Sequence, residues 1–173
     1  MSRYYARMQA EKLAQRLGAD TPPIDVEAIA RGLKLKVIKE DLGQGVSGLL
    51  VSDGLSAYIC VQQLDAPVRQ RFTIAHELGH YILRHHVGTG ENVLVDRGVM
   101  GERGALASQG IDPKEIQANQ FAACLLMPSR LVRQEVERFG TTPLSDANVS
   151  ELAKTFKVSE QAMTIRLTKL GLL

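Results

Sequence analysis

The chain has 173 residues, 45% of them hydrophobic, and its 21 basic and 19 acidic side chains leave a net charge of +2. That is enough apolar material for one domain, or one domain with a small appendage, and too little net charge to argue for a nucleic-acid partner on electrostatics alone. No apolar run approaches the length of a membrane span, and Met1-Ser2-Arg3-Tyr4-Tyr5 lacks the apolar stretch of a signal peptide, so a cytoplasmic protein without membrane contact is expected.

Taken in order, residues 3 to 17 read as an amphipathic helix with Tyr5, Met8, Leu13 and Leu17 near one face and Gly18 as its stop. Thr21-Pro22-Pro23 opens a second, short helix carrying Val26, Ile29 and Ala30 and closed by Gly32. The period then changes. Leu33, Leu35 and Val37 alternate with Lys34 and Lys36 as in a half-buried strand. After a connection containing Gly43, Gly45 and Gly48, Leu49-Leu50-Val51 and Tyr58-Ile59-Cys60-Val61 read as two strands joined by a turn at Ser52-Asp53-Gly54. A small antiparallel sheet is expected, with an edge to which an extended peptide could add as another strand. Cys60 and Cys124 stand far apart in apolar surroundings and read as reduced, buried thiols.

The next stretch, Arg71-Phe72-Thr73-Ile74-Ala75-His76-Glu77-Leu78-Gly79-His80-Tyr81-Ile82-Leu83, carries the chemistry. On a helix, His76 and His80 lie four apart on one face, where two imidazoles can grip one metal ion. Glu77 beside them can reach a water on that metal, the H-E-x-x-H arrangement. Zinc suits such nitrogen and oxygen donors with an open fourth position. Asp65 can cap the helix, with Pro67 in its first turn. Phe72, Ala75, Leu78, Ile82 and Leu83 give an apolar stripe, so that one side is buried and the other faces a cleft. All four histidines of the chain fall in this window; His85 and His86 read as a polar helix end, facing away from His76 and His80.

Residues 87 to 111 are rich in glycine, and suit either a flap over the cleft or a surface insertion. Asp112-Pro113-Lys114-Glu115 starts the next helix, which runs through Phe121, Leu125 and Leu126 to Pro128. Glu115 is the best candidate for a third metal ligand, although Asp112 with Glu115 is also a capping-box pattern. His86 is the rival, at the metzincin spacing, but Leu83 stands where that pattern needs a helix-breaking glycine. Asn119, one turn past Glu115, either fixes the tautomer of a ligating histidine or is an ordinary polar residue. Tyr58 and Arg103 are both available as oxyanion donors and nothing selects between them.

From Ser129 onward the pattern is helical: Leu131, Val132, Val136 and Phe139 in one segment ended at Gly140, then a helix, a short turn and a helix over 149 to 167. Ala153, the turn at Val158-Ser159, and Ala162 with Ile165 inward resemble a helix-turn-helix, departing from it where Lys157 replaces the usual Gly. From residue 146, Lys154, Lys157, Arg166 and Lys169 face Asp146, Glu151 and Glu160, a poor footprint for DNA. The fold class expected is α+β: a small antiparallel sheet packed on the H-E-x-x-H helix and a third-ligand helix in residues 1–128, with a helix-turn-helix-like region in 129–173 packed on it.

The block 71–80, together with Glu115-Ile116-Gln117-Ala118-Asn119-Gln120-Phe121-Ala122-Ala123 and Leu125-Leu126-Met127-Pro128, resembles the ImmA/IrrE family of zinc metallo-endopeptidases. The Pro-Pro segment and the Gly32-Leu33 strand entry also fit, and the likeness runs over roughly residues 3 to 170. It implies a gluzincin-like zinc site: His76, His80 and Glu115 as ligands and Glu77 as the catalytic glutamate. It implies a protein substrate of the helix-turn-helix (XRE-type) repressor or antitoxin kind, cut to derepress genes. The alternative is a non-catalytic repressor-binding or DNA-binding regulator with a vestigial zinc site.

Overall fold

The computed structural model describes residues 2–52, 57–85, 93–96, 112–140 and 143–173. In chain order these form α1 (Arg3–Arg16), α2 (Val26–Gly32), β1 (Leu35–Glu40), β2 (Gly48–Ser52), β3 (Ala57–Gln62), α3 (Pro67–Ile82), β4 (Val93–Asp96), α4 (Pro113–Leu126), α5 (Ser129–Glu137), α6 (Asp146–Phe156) and α7 (Glu160–Leu170). The fold is α+β, as the patterning implies.

The sheet has the order β1-β3-β2-β4 and is mixed rather than antiparallel throughout. The β2–β3 hairpin is antiparallel as expected, with Leu50 opposite Ile59. β1, however, runs parallel to β3, with Val37 opposite Ile59. Alternation within a strand records which face is buried but not the direction of its neighbour. β4, which periodicity did not reveal inside the Gly-rich stretch, pairs antiparallel with β2 and forms the edge of the sheet on that side. The 53–54 turn and the rest of the Gly-rich stretch, with its flap and insertion readings, lie outside the described residues.

Several boundaries differ from the sequence reading for local reasons. The first helix buries Ala6, Ala10, Leu13 and Ala14, while Tyr5 and Leu17 are exposed; small side chains let α1 lie close against α4. Pro22-Pro23 precedes the second helix, whose cap is Asp25, accepting from the Ala28 N–H at 2.9 Å. The first strand starts at Leu35, because Lys34 takes a left-handed backbone (φ 62°) that turns the chain out of α2. The cap of α3 falls on Ala66, not Asp65: the residue before a proline is held extended, and Asp65 instead pairs with Arg69 at 3.1 Å. Arg69 also donates to Ser47 Oγ at 2.8 Å, tying the start of α3 to the approach to β2.

The third helix is buried all round rather than along one stripe. Every residue from Thr73 to His80 is buried, since the sheet lies on one side and α4 on the other. The contact with α4 depends on Gly79: a Cβ there would stand 3.2 Å from Ala118 Cα and from Phe121 Cβ and Cδ1. Phe121, Leu125 and Leu126 of α4 fill the core beneath.

In the C-terminal region, Ser145 and Ser159 cap α6 and α7. Lys157 adopts φ 51° at the turn, so the departure from the helix-turn-helix pattern is one of residue type and not of backbone shape. Met163, Arg166 and Leu167 face inward, whereas Ile165 is exposed, contrary to expectation. Arg166, only 2% exposed, reaches Met127 O at 2.9 Å, Cys124 Sγ at 3.2 Å and Glu11 Oε1 at 3.0 Å, fastening α7 to α4 and α1. Cys60 and Cys124 are free thiols; Cys124 is buried as expected and Cys60 only half-buried, and burial raises the pKa of both. Among the described residues, no helix is long and apolar enough to cross a membrane.

Candidate metal centre

Three side chains predicted to act together do meet. His76 and His80 stand one turn apart on α3, and their Nε2 atoms lie 3.0 Å from each other. Glu115, in the first turn of α4, puts Oε2 at 3.1 Å from His76 Nε2 and Oε1 at 3.2 Å from His80 Nε2. One ligand atom from each falls within 4.8 Å of the others. Asp112 caps α4 through the Lys114 N–H at 2.8 Å, and the Glu115 carboxylate turns to the imidazoles rather than back into a capping box. The imidazoles are buried while the Glu115 side chain is 40% exposed, so the centre opens on the Glu115 side.

The outer ring nitrogens are also engaged. His76 Nδ1 lies 3.0 Å from Asn119 Oδ1, a contact of the kind an orienting residue would make. His80 Nδ1 lies 3.0 Å from His85 Nδ1, and His85 Nε2 lies 3.2 Å from Gln117 Oε1. From sequence, His85 is expected to face away. It faces His80 because α3 ends in a Schellman turn: Arg84 takes φ 56°, its N–H donates to Tyr81 O, and the His85 N–H donates to His80 O at 3.0 Å. Burial, and then the neighbouring His80, lower the His85 pKa. Sequence reasoning missed both His85 and Gln117; its only cue was the cluster of four histidines. His86 and Arg103 lie outside the described residues, and Tyr58 is the second residue of β3, opposite Val51.

Glu77 is fully buried between α3 and the first residue of β2. A Cβ on Gly48 would lie 3.1 Å from Glu77 Oε1 and would clash with Thr73 Cγ2, so β2 can pass over this carboxylate only with glycine there.

The donor set itself tests whether a metal fits. An amide oxygen on His76 Nδ1 places that ring's proton on Nδ1 and leaves its Nε2 as a lone pair. That lone pair, His80 Nε2 and a carboxylate within about 3 Å form a cluster of electron-rich atoms that a cation satisfies. Two nitrogens and one oxygen suit zinc.

An α+β fold with such a helix pair is of the metallopeptidase kind. Residues 30–168 match the Peptidase_M78 family model, described as the IrrE N-terminal-like domain, and the chain belongs to this metallopeptidase family. It is 35% identical over 111 residues to the radiation response metalloprotease IrrE of Deinococcus radiodurans, covering 64% of this chain and 30% of that protein. It is 30% identical to the IrrE of Deinococcus deserti, covering 89% of this chain and half of that one. With the metallopeptidase ImmA of Bacillus subtilis it shares 25% identity, over 80% of this chain and 72% of ImmA. The chain thus spans half or less of the IrrE proteins it matches. A solved structure described as a Mycobacterium tuberculosis transcriptional regulator superposes with a TM-score of 0.59 at 19% identity, over 94% of this chain and 46% of that one, a likeness of fold.

Proposed function

We propose that the chain is a zinc-dependent endopeptidase, with His76 Nε2, His80 Nε2 and a Glu115 oxygen as the residues that would hold the ion. The observation that carries this is the convergence of those atoms on one point. When bound, zinc supplies Lewis acidity, polarising a carbonyl oxygen and making water acidic enough to lose a proton near neutral pH. Glu77 takes the proton of the attacking water and returns it to the leaving amide nitrogen. Its burial keeps competing water from the carboxylate, and Gly48 keeps the passing strand from displacing it. Asn119 holds His76 in the tautomer whose Nε2 lone pair faces inward.

For the substrate, the family supports a protein, and the resemblance favours a helix-turn-helix repressor or antitoxin in the cytoplasm. Incubating the zinc-loaded chain with a repressor encoded beside it, and reading products by mass spectrometry, tests this. The parent yields one or a few discrete fragments. Glu77→Gln keeps its zinc and its fold but loses at least about 100-fold in rate. Cleavage by Glu77→Gln at the parental rate would sink the assignment. The regulator reading with a vestigial site is weaker: a closed structural site needs a fourth protein ligand, and His85, the nearest described histidine, is spent on the outer face of His80.

A further inference from the structure

His80 is held differently from His76. The outer nitrogen of His76 meets an amide oxygen directly, whereas that of His80 meets a second imidazole, His85, which in turn meets the Gln117 amide oxygen. All three side chains of this second path are buried, so no bulk water substitutes for a missing partner. Both ends of His85 are fixed: its N–H donates to His80 O, and Lys114 Nζ donates to its carbonyl at 3.1 Å.

The order of protons along this path is determined from its far end. A neutral imidazole carries one N–H and one lone pair, and an amide oxygen only accepts. With Gln117 Oε1 facing it, His85 must carry its proton on Nε2 and present a lone pair at Nδ1. His80 then carries its proton on Nδ1, and its Nε2 lone pair is turned toward Glu115 and His76. Were the Gln117 amide reversed, its NH₂ would face His85, every proton on the path would shift by one nitrogen, and an N–H would point from His80 into the metal position.

We propose that Gln117, acting through His85, is a positioning residue that fixes the tautomer of His80 and thereby its competence as a metal ligand. This rests on the zinc reading above. Helix α4 would then supply a ligand, Glu115, and the final acceptor for both histidines, Asn119 and Gln117.

The test compares zinc affinity of the full chain, by chelator competition, for the parent, Gln117→Leu, Gln117→Glu and His85→Phe. Gln117→Leu removes the acceptor while filling its space, and weakens zinc binding by about 10–100-fold. Gln117→Glu offers only acceptors and cannot reverse, and stays within about threefold of the parent or binds more tightly. His85→Phe keeps a ring and loses the path, and behaves as Gln117→Leu. Nitrogen-15 imidazole spectra of the metal-free proteins give a second readout: His80 is the Nδ1–H tautomer in the parent and a mixture in Gln117→Leu. If His85→Phe fails to fold, the two Gln117 variants still decide. Zinc bound by the parent and equally by Gln117→Leu, with an unchanged His80 tautomer, overturns the inference and leaves the metal centre standing. A parent that binds no zinc overturns the metal centre and this inference with it.

Discussion

Gly79→Ala sets two rules against each other. In a helix interior, alanine in place of glycine gains about 1 kcal/mol of intrinsic propensity. Here the added Cβ would meet Ala118 Cα, Phe121 Cβ and Phe121 Cδ1, each at 3.2 Å. Carbon atoms prefer about 3.5–4.0 Å, so α4 must back off by roughly 0.3–0.8 Å. One of the three atoms is backbone, and no rotamer change relieves it. Overpacking of this kind costs about 1–3 kcal/mol, so packing wins and the net loss is about 1 kcal/mol, or about 2–4 °C in Tm for a chain of this size. The same retreat carries Glu115, Gln117 and Asn119 away from α3. Metal–ligand distances tolerate only about 0.2 Å, so zinc affinity falls by about tenfold or more. Gly32→Ala is the control: its Cβ would meet only Leu17 Cδ2, at an ordinary 3.9 Å, and it gains about 0.5–1 kcal/mol. Urea unfolding without metal and chelator competition with it measure the two effects. A Gly79→Ala protein stabilised like Gly32→Ala, with unchanged zinc affinity, would refute the claim that this glycine sets the spacing of the helix pair.

Glu115→Gln keeps the volume and loses the charge; zinc affinity drops by at least about 100-fold, read by chelator competition, and an unchanged affinity would remove Glu115 from the centre. Stripping the metal from protein held at about 100 times its dissociation constant removes about 2.7 kcal/mol of linkage and lowers Tm by about 5–10 °C; identical melting curves would show that the ion does not bind the folded chain. Glu11→Ala leaves the buried Arg166 guanidinium and the Ser129 N–H without their carboxylate, costing about 3 kcal/mol by urea unfolding, and a loss under about 1 kcal/mol would mean that solvent replaces it. Lys157→Gly relieves a left-handed residue and raises stability by up to about 1 kcal/mol; a loss of stability would show that Lys157 makes a contact worth more than the strain.

What the sequence reveals, and what it hides, follows from the range of the rules involved. His76 and His80 are legible because helical spacing is local, and Glu115 with Asn119 because Asp112-Pro113 marks where their helix begins. The α+β class follows from the change of period after Gly32. The parallel pairing of β1 with β3 is invisible to periodicity, which is blind to strand direction. The burial of α3 on all sides depends on α4 arriving from about 35 residues downstream, so an apolar stripe underestimates it. His85 was hidden by Arg84: a turn of this kind is read from glycine, and an arginine at φ 56° gives no such signal. Gln117 is half a turn from Glu115 on a helical wheel and drops out of any search along one face. It matters only because the Schellman turn brings His85 round to meet it.

Arg71 gives the fold a further property. From the first half of α3 its guanidinium donates to Ile24 O at 2.9 Å, just before the second helix, and to Lys157 O at 3.3 Å, in the turn between the last two helices. Burial lowers the pKa of this group, yet it stays cationic and holds two carbonyls that are 133 residues apart along the chain. One side chain therefore staples the approach to α2 and the turn between α6 and α7 to the shaft that bears the histidines. Grafting the helix pair elsewhere as a cassette would unfasten that shaft at its root, about one and a half turns below His76.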